Sequence, residues 1–252
     1  MVEPLFRQVH VERVMGTVVS LDIRSGPPDP AVLDTAIASL HEADARFSTY
    51  RADSELCRFD RGEIARPSPD LRWVLERCAA LRRETHGCFD MRASGRLDPS
   101  ALVKGWAAQR AADVLTTGGV TDFCLNAGGD VIARGDASGG SLGWRVGIQH
   151  PHDHAAIAVR VCARDVAVAT SGAYERGQHI IDPRTAKAPE GVLSVTVTGP
   201  DLGTADAYST AAFAMGLDGP AWTLALGVYE AMTILADGTI LSTPGFPALE
   251  GE

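Results

Sequence analysis

The chain has 252 residues, 45% of them hydrophobic and 22% charged, enough apolar content to bury a core in one or two domains. Its 23 Lys and Arg against 32 Asp and Glu give a net charge of −9, which excludes the basic face a nucleic-acid binder needs to displace counterions. No apolar run approaches the roughly 20 residues that span a bilayer, and Met1-Val2-Glu3-Pro4 shows neither a basic n-region nor an apolar h-region, so the expectation is a cytoplasmic protein without a membrane segment.

Residues 15–23 alternate like a strand and run into Ser25-Gly26-Pro27-Pro28. Residues 30–47 carry Val32, Leu33, Ala36, Ile37, Leu40, Ala43 and Phe47 at helical spacing, and a loop follows over 48–55. A second helix is predicted over 70–85, capped by Ser68-Pro69, with Leu71, Val74, Leu75, Cys78 and Leu81 on one face. A third helix, 101–115, stops at Gly118-Gly119. Beyond Val120 short β-rich runs dominate, at 122–126, 131–134, 144–148, 156–162, 166–169 and 193–198, interrupted by helices at 205–215 and 220–226. A last hairpin joins 232–236 to 239–242 through the turn pair Asp237-Gly238. Helices early and sheet later imply one α+β domain over 1–252, not a doubly wound sheet. The five cysteines (Cys57, Cys78, Cys88, Cys124, Cys162) are odd in number and form no C-x-x-C, which points to inert thiols and not to disulfides or zinc.

Two motifs mislead. Gly139-Gly140-Ser141-Leu142-Gly143 fits G-x-S-x-G, but a nucleophile elbow needs a sharp strand-to-helix turn, and this one sits in a polar loop between strand-like runs. His150, His152 and His154 alternate as a metal-binding strand might, yet Pro151 breaks the strand and the segment reads as an inter-strand loop.

Four other segments each admit a plain reading and a chemical one. Asn126-Ala127-Gly128-Gly129-Asp130 is by itself a hairpin turn, although adjacent glycines also allow close approach to a phosphate or ring. Asp98-Pro99 begins a helix as an N-cap/N1 pair, leaving Lys104 either solvated or paired with an anion near the helix N-terminus. His179-Ile180-Ile181-Asp182-Pro183 taken singly is a strand with a solvated histidine. Asp206 and Thr210 lie one helical turn apart on one face; they either serve the helix itself or offer hard oxygens suited to Mg²⁺.

Order and combination bring these together. Met15-Gly16-Thr17, Phe47-Ser48-Thr49-Tyr50 with Asp53-Ser54-Glu55-Leu56, Asp98…Lys104-Gly105, Asn126-Ala127-Gly128-Gly129-Asp130, Thr170-Ser171-Gly172, His179 to Pro183 and Asp206-Ala207-Tyr208-Ser209-Thr210 follow in a sequence that resembles the ApbE family. The resemblance covers a core of about 11–246. It implies transfer of FMN from FAD to a Thr or Ser hydroxyl of a target flavoprotein, with AMP leaving and Mg²⁺ (or Mn²⁺) as cofactor. An FAD pyrophosphatase and a non-catalytic flavin binder are the alternatives. The implied metal ligands are Asp206, Thr210 and the Ala101 carbonyl. The implied FAD contacts are Met15, Tyr50, Phe89, Asp90, Met91, Asp98, Lys104 and Ile181.

The residue types suit the chemistry. Pyrophosphate cleavage needs charge neutralisation and in-line positioning more than covalent help. Lys104 supplies positive charge, and His179 matches a proton acceptor at neutral pH, with Asp182 as substitute. Three departures from the family stand out. Asp98 follows Asp90 by only eight residues where relatives carry a long insertion, Ser209 stands where some have a further acidic ligand, and no lipoprotein cysteine is seen. A regular helix from Pro99 also commits the Ala101 carbonyl to the Gly105 amide, leaving a metal its second lone pair. The chain is not itself a flavinylated target, since Thr170-Ser171-Gly172-Ala173-Tyr174 lacks both the preceding acid and the final alcohol.

Overall fold

The computed structural model describes residues 6–137, 143–172 and 180–249, together with the backbone but not the side chain of His154. Its chain begins with a hairpin where a single strand was expected: β1 (Gln8–Val14) pairs antiparallel with β2 (Thr17–Ile23). Met15 and Gly16 are not strand but the two-residue turn, with φ of 56° and 68°, the signature of a type I′ connection. Helix α1 (Pro30–Phe47) is capped by Asp29, whose carboxylate accepts from the Ala31 amide. A short helix that was not expected, α2 (Glu55–Asp60), follows the expected loop, with Ser54 capping it through the Cys57 amide. Helix α3 (Pro69–Glu84) starts at Ser68 as predicted.

Helix α4 (Ser100–Thr117) starts one residue later than Asp98-Pro99 suggested. Pro99 is its cap, and Asp98 accepts from the Ser100 amide at 3.0 Å. Hairpin β3 (Phe123–Ala127) and β4 (Asp130–Arg134) turns at Gly128-Gly129, both with positive φ. Strands β5 (Trp144–His150) and β6 (Asp153–Ala163) form a separate two-stranded sheet, with β6 also bridged to the C-terminal segment at Val161 and Ala248. Pro151 and His152 form their turn, as the loop reading anticipated. Then come β7 (Val166–Gly172), β8 (Val192–Gly199), α5 (Leu202–Ala214), α6 (Gly219–Thr223), β9 (Glu230–Leu235) and β10 (Ile240–Ser242).

The main sheet has eight strands in the order β1-β2-β3-β4-β7-β8-β9-β10, all neighbours antiparallel. The fold is α+β, with most helix in the first half and most sheet in the second. One face carries α1, α4 and α5, and the other carries the β5–β6 hairpin. The central strands are therefore buried on both sides. Ile132, Ala167 and Ala169 face the helices while Val131, Ala133 and Val168 face the hairpin, which is why these runs lack polar alternation. None of the five cysteines is joined in a disulfide. Burial pushes the Cys78 and Cys124 thiols up to about 12, so they stay protonated and unreactive.

Helix α5 is buried nearly all round and packs on α4, β7 and β8. Its contact with α4 is made backbone to backbone. A Cβ on Gly105 would lie 2.6 Å from the Leu202 carbonyl oxygen and 2.8 Å from the Gly203 Cα. Gly105→Ala should therefore lower stability by about 1–3 kcal/mol through overpacking, read as a shifted urea midpoint with unchanged m-value; an unshifted midpoint would show that the two helices can separate without cost.

Candidate active site

The crossing of α4 and α5 places Lys104 beside Asp206. Asp130 arrives from the sheet, at the first position of β4 just past the Gly128-Gly129 turn. That turn is fixed by the Gly129 amide donating to Asn126 Oδ1 and the Gly128 amide donating to the Val18 carbonyl. Lys104 Nζ lies 2.6 Å from Asp130 Oδ2 and 3.7 Å from Asp206 Oδ2. Both carboxylates are buried, at 1% and 4% exposure, so an ammonium lies between two acids largely shut off from water. The other oxygen of Asp130 accepts from the Thr170 amide at 3.1 Å, tying β4 to β7.

The end of β7 adds hydroxyls. Ser171 Oγ is 2.8 Å from Ser209 Oγ and 3.2 Å from Thr210 Oγ1. Ser209 also donates to the Asp206 carbonyl at 2.9 Å. Ser209 is thus fully buried and engaged in fastening α5 to β7. The expected set of Lys104, Asp206 and Thr210 is brought together, with Ala101 in the first turn of α4 on the same helix as Lys104. Among the described residues no three His, Cys, Asp or Glu side chains group as metal ligands. A cation here would rely on carboxylate, hydroxyl and carbonyl oxygens, the donors a hard ion prefers.

The remaining expected residues have separate settings. Met15 caps the β1–β2 hairpin in a left-handed conformation unusual for a side chain of its size. It neighbours the β3–β4 tip, since Thr17 packs on Gly128. Tyr50 is 97% exposed. Phe89 is buried in the main core, and Asp90 pairs with Arg82 at 3.1 Å. The Met91 carbonyl accepts from the Asp98 amide at 2.7 Å, closing the short 90–98 segment on itself. A cavity of about 720 Å³ opens beside Asp90 and Met91, bordered also by Arg82, Arg83, His86 and Arg92. Ile181 is half-buried. His179 lies outside the described residues, as do Gly139, Gly140, Ser141 and Leu142 of the G-x-S-x-G match.

Asp182 is engaged within its own turn. Its carboxylate accepts from the Arg184 amide at 2.9 Å and from the Arg184 guanidinium at 2.9–3.2 Å. Its backbone closes a turn with Lys187. The Arg184 hydrogen bonds, outweighing burial, hold this carboxyl below its ordinary 3.8, which makes it a weak base. Two residues that sequence reasoning left without a role, Asp130 and Ser171, contact the predicted residues directly. Asp130 stands at the end of Asn-Ala-Gly-Gly-Asp and Ser171 inside Thr170-Ser171-Gly172, both among the segments that resemble the family, but neither segment gave its side chain a task.

The ApbE family model matches residues 15–95 and 92–233, two stretches that meet inside the short 90–98 segment. The chain belongs to the ApbE family. It is 38% identical to a FAD:protein FMN transferase of Rhodobacter capsulatus over 61% of this chain and 33% of that protein. It is 34% identical to one of Treponema pallidum over 64% of this chain and 51% of that protein. The chain thus spans a third to a half of these two ApbE relatives. The flavin transferase ApbE from Vibrio cholerae superposes with a TM-score of 0.87 at 25% identity, over 98% of this chain and all of that one.

The turn bearing Asp182 supports a pH test. Because its folded pKa is depressed, the Arg184 contact contributes stability above the ordinary value of 3.8 and loses it as pH falls through the lower folded value. Arg184→Leu should cost under about 1 kcal/mol at pH 7, the guanidinium being partly screened by water. The gap from wild type in urea unfolding should narrow below the ordinary 3.8; a gap that persists undiminished there would assign the loss to packing instead.

Proposed function

We propose that this ApbE-family chain transfers FMN from FAD to a Thr or Ser hydroxyl of a target flavoprotein, releasing AMP, with Mg²⁺ or Mn²⁺ as cofactor. The observation that carries the reading is Lys104 set between buried Asp130 and Asp206, with the Thr210 hydroxyl one turn along α5. The names carried by the relatives, FAD:protein FMN transferase and flavin transferase, point the same way.

In the reaction, the acceptor oxygen bonds to the FMN-side phosphorus as the bond from that phosphorus to the bridging oxygen breaks, and the electron pair leaves on AMP. His179 takes the hydroxyl proton in this assignment, since the Asp182 carboxyl is held by Arg184 and is the poorer base. Lys104 neutralises phosphate charge. Asp206 and Thr210 would hold the cation through side-chain oxygens, and Ala101, in the first turn of α4, through its carbonyl. The bound Mg²⁺ would neutralise pyrophosphate oxygens as a Lewis acid. Met15, Tyr50, Phe89, Asp90, Met91, Asp98, Lys104 and Ile181 are the assigned FAD contacts, the exposed Tyr50 ring offering a surface for stacking.

Purified protein incubated with FAD, Mg²⁺ and a protein carrying the family's acceptor motif should yield a fluorescent acceptor band that EDTA abolishes. FMN and AMP without any labelled acceptor would favour the pyrophosphatase, and intact FAD the flavin binder. His179→Ala should slow transfer by roughly 10²–10⁴-fold while FAD still binds; an unchanged rate removes it as base. FAD cleavage that survives alanine at both Asp206 and Thr210 would contradict a metal-centred mechanism.

A further inference from the structure

Asp130 is the one buried carboxylate of the cluster that the metal and flavin assignments leave without a task. It lies closer to the lysine than Asp206 does, 2.6 Å against 3.7 Å, and Coulomb attraction grows as separation falls. Its position is fixed independently of the lysine. The glycine turn sets its backbone, and the Thr170 amide, donating to Oδ1 at 3.1 Å, sets its side chain. Lys104 is equally constrained at its root, because Gly105 beside it is wedged against Leu202 and Gly203. The ammonium and any cation at Asp206 therefore compete for one carboxylate, and Asp130 decides where the ammonium rests.

We propose that Asp130 is a positioning residue that holds the Lys104 ammonium back from Asp206, so that a divalent cation can take that carboxylate. The inference rests on the metal reading given under Proposed function. It assigns Asp130 no contact with the metal; its effect is exerted through Lys104. Asp130→Asn suits the test because the amide oxygen still accepts from the Thr170 N–H, and only the charge facing the lysine is lost. The ammonium then turns to Asp206 and opposes the cation.

The test is Mn²⁺ binding to the full chain, followed by electron paramagnetic resonance without FAD or acceptor, in wild type, Asp206→Ala, Asp130→Asn, Lys104→Met and the Asp130→Asn/Lys104→Met double variant. Wild type should bind Mn²⁺ and Asp206→Ala should not. Asp130→Asn should weaken binding by roughly tenfold or more, as expected when one partner of a buried charge pair is removed. In the Lys104→Met background the same change should matter by less than about threefold, since a residue acting through another has no effect once that partner is gone. An equal or larger loss in that background would make Asp130 a ligand or a direct electrostatic contributor and overturn the proposal. Unchanged affinity in Asp130→Asn alone would overturn it too. If wild type binds no Mn²⁺, or binds it as well after Asp206→Ala, the metal reading fails first and the proposal with it.

Discussion

The close approach of α4 and α5 is the constraint on which the site depends. Helices in contact usually sit 8–10 Å apart, a separation set by the side chains between them. At Gly105 and Gly203 no side chain intervenes, and the backbone of one helix rests on the other. Lys104 immediately precedes the first glycine, and Asp206 follows the second by three residues, about one turn. The crossing therefore delivers an ammonium to a carboxylate without a loop having to place either. Rigid elements hold reacting groups more accurately than loops do, and here α4, α5, β4 and β7 each supply part of the cluster.

The regular elements were readable wherever local chemistry agreed with tertiary demand. Helices α1 and α3 show clear 3.6-residue spacing and side-chain caps, at Asp29 and Ser68, and the β9–β10 hairpin announces itself through Asp237-Gly238. Strand β1 was missed because its valines point the wrong way for a core signal: Val9 and Val11 are half-exposed or more, while His10 and Glu12 turn toward α1 and His41. Its turn was missed because methionine seldom takes positive φ. In the site, helical spacing put Asp206 and Thr210 on one face of a helix, and only the family resemblance tipped the pair toward its chemical reading. The Lys104–Asp130 pair was not legible, since it joins a helix to a hairpin and only the packing of α4 on the sheet makes the two neighbours. Asp182, a residue of suitable chemistry in the sequence, is engaged by Arg184 in its own turn, a contact that spacing did not reveal.

The segment between Asp90 and Asp98 departs most from the family pattern. It does not hang open. Asp98 donates its amide to the Met91 carbonyl, Arg92 reaches Asp60 at 3.1 Å, and Asp60 also accepts from the Leu97 amide at 3.4 Å. Helix α2, absent from the sequence-based expectation, therefore has a use: its last residue anchors the shortened loop. With that loop drawn in, the cavity beside it keeps a border of Arg82, Arg83, His86 and Arg92.

The same reasoning bears on why the cluster is built from charges at all. Burying ions costs several kcal/mol each after relaxation, and a well-packed apolar replacement is often the more stable choice. Asp130 at 1% exposure and Asp206 at 4% are therefore expensive residues for a fold that otherwise fills this layer with alanine and small hydroxyls. Stability gives no reason to place an ammonium between two such carboxylates, whereas the proposed reaction, with its polyanionic substrate and divalent cation, does. Such a ligand brings both signs of charge, and a site that already holds both can match it without first reorganising. The hydroxyls of Ser171 and Ser209 fit this account: by locking α5 to the end of β7 they fix the carboxylate and the Thr210 oxygen before any ligand arrives.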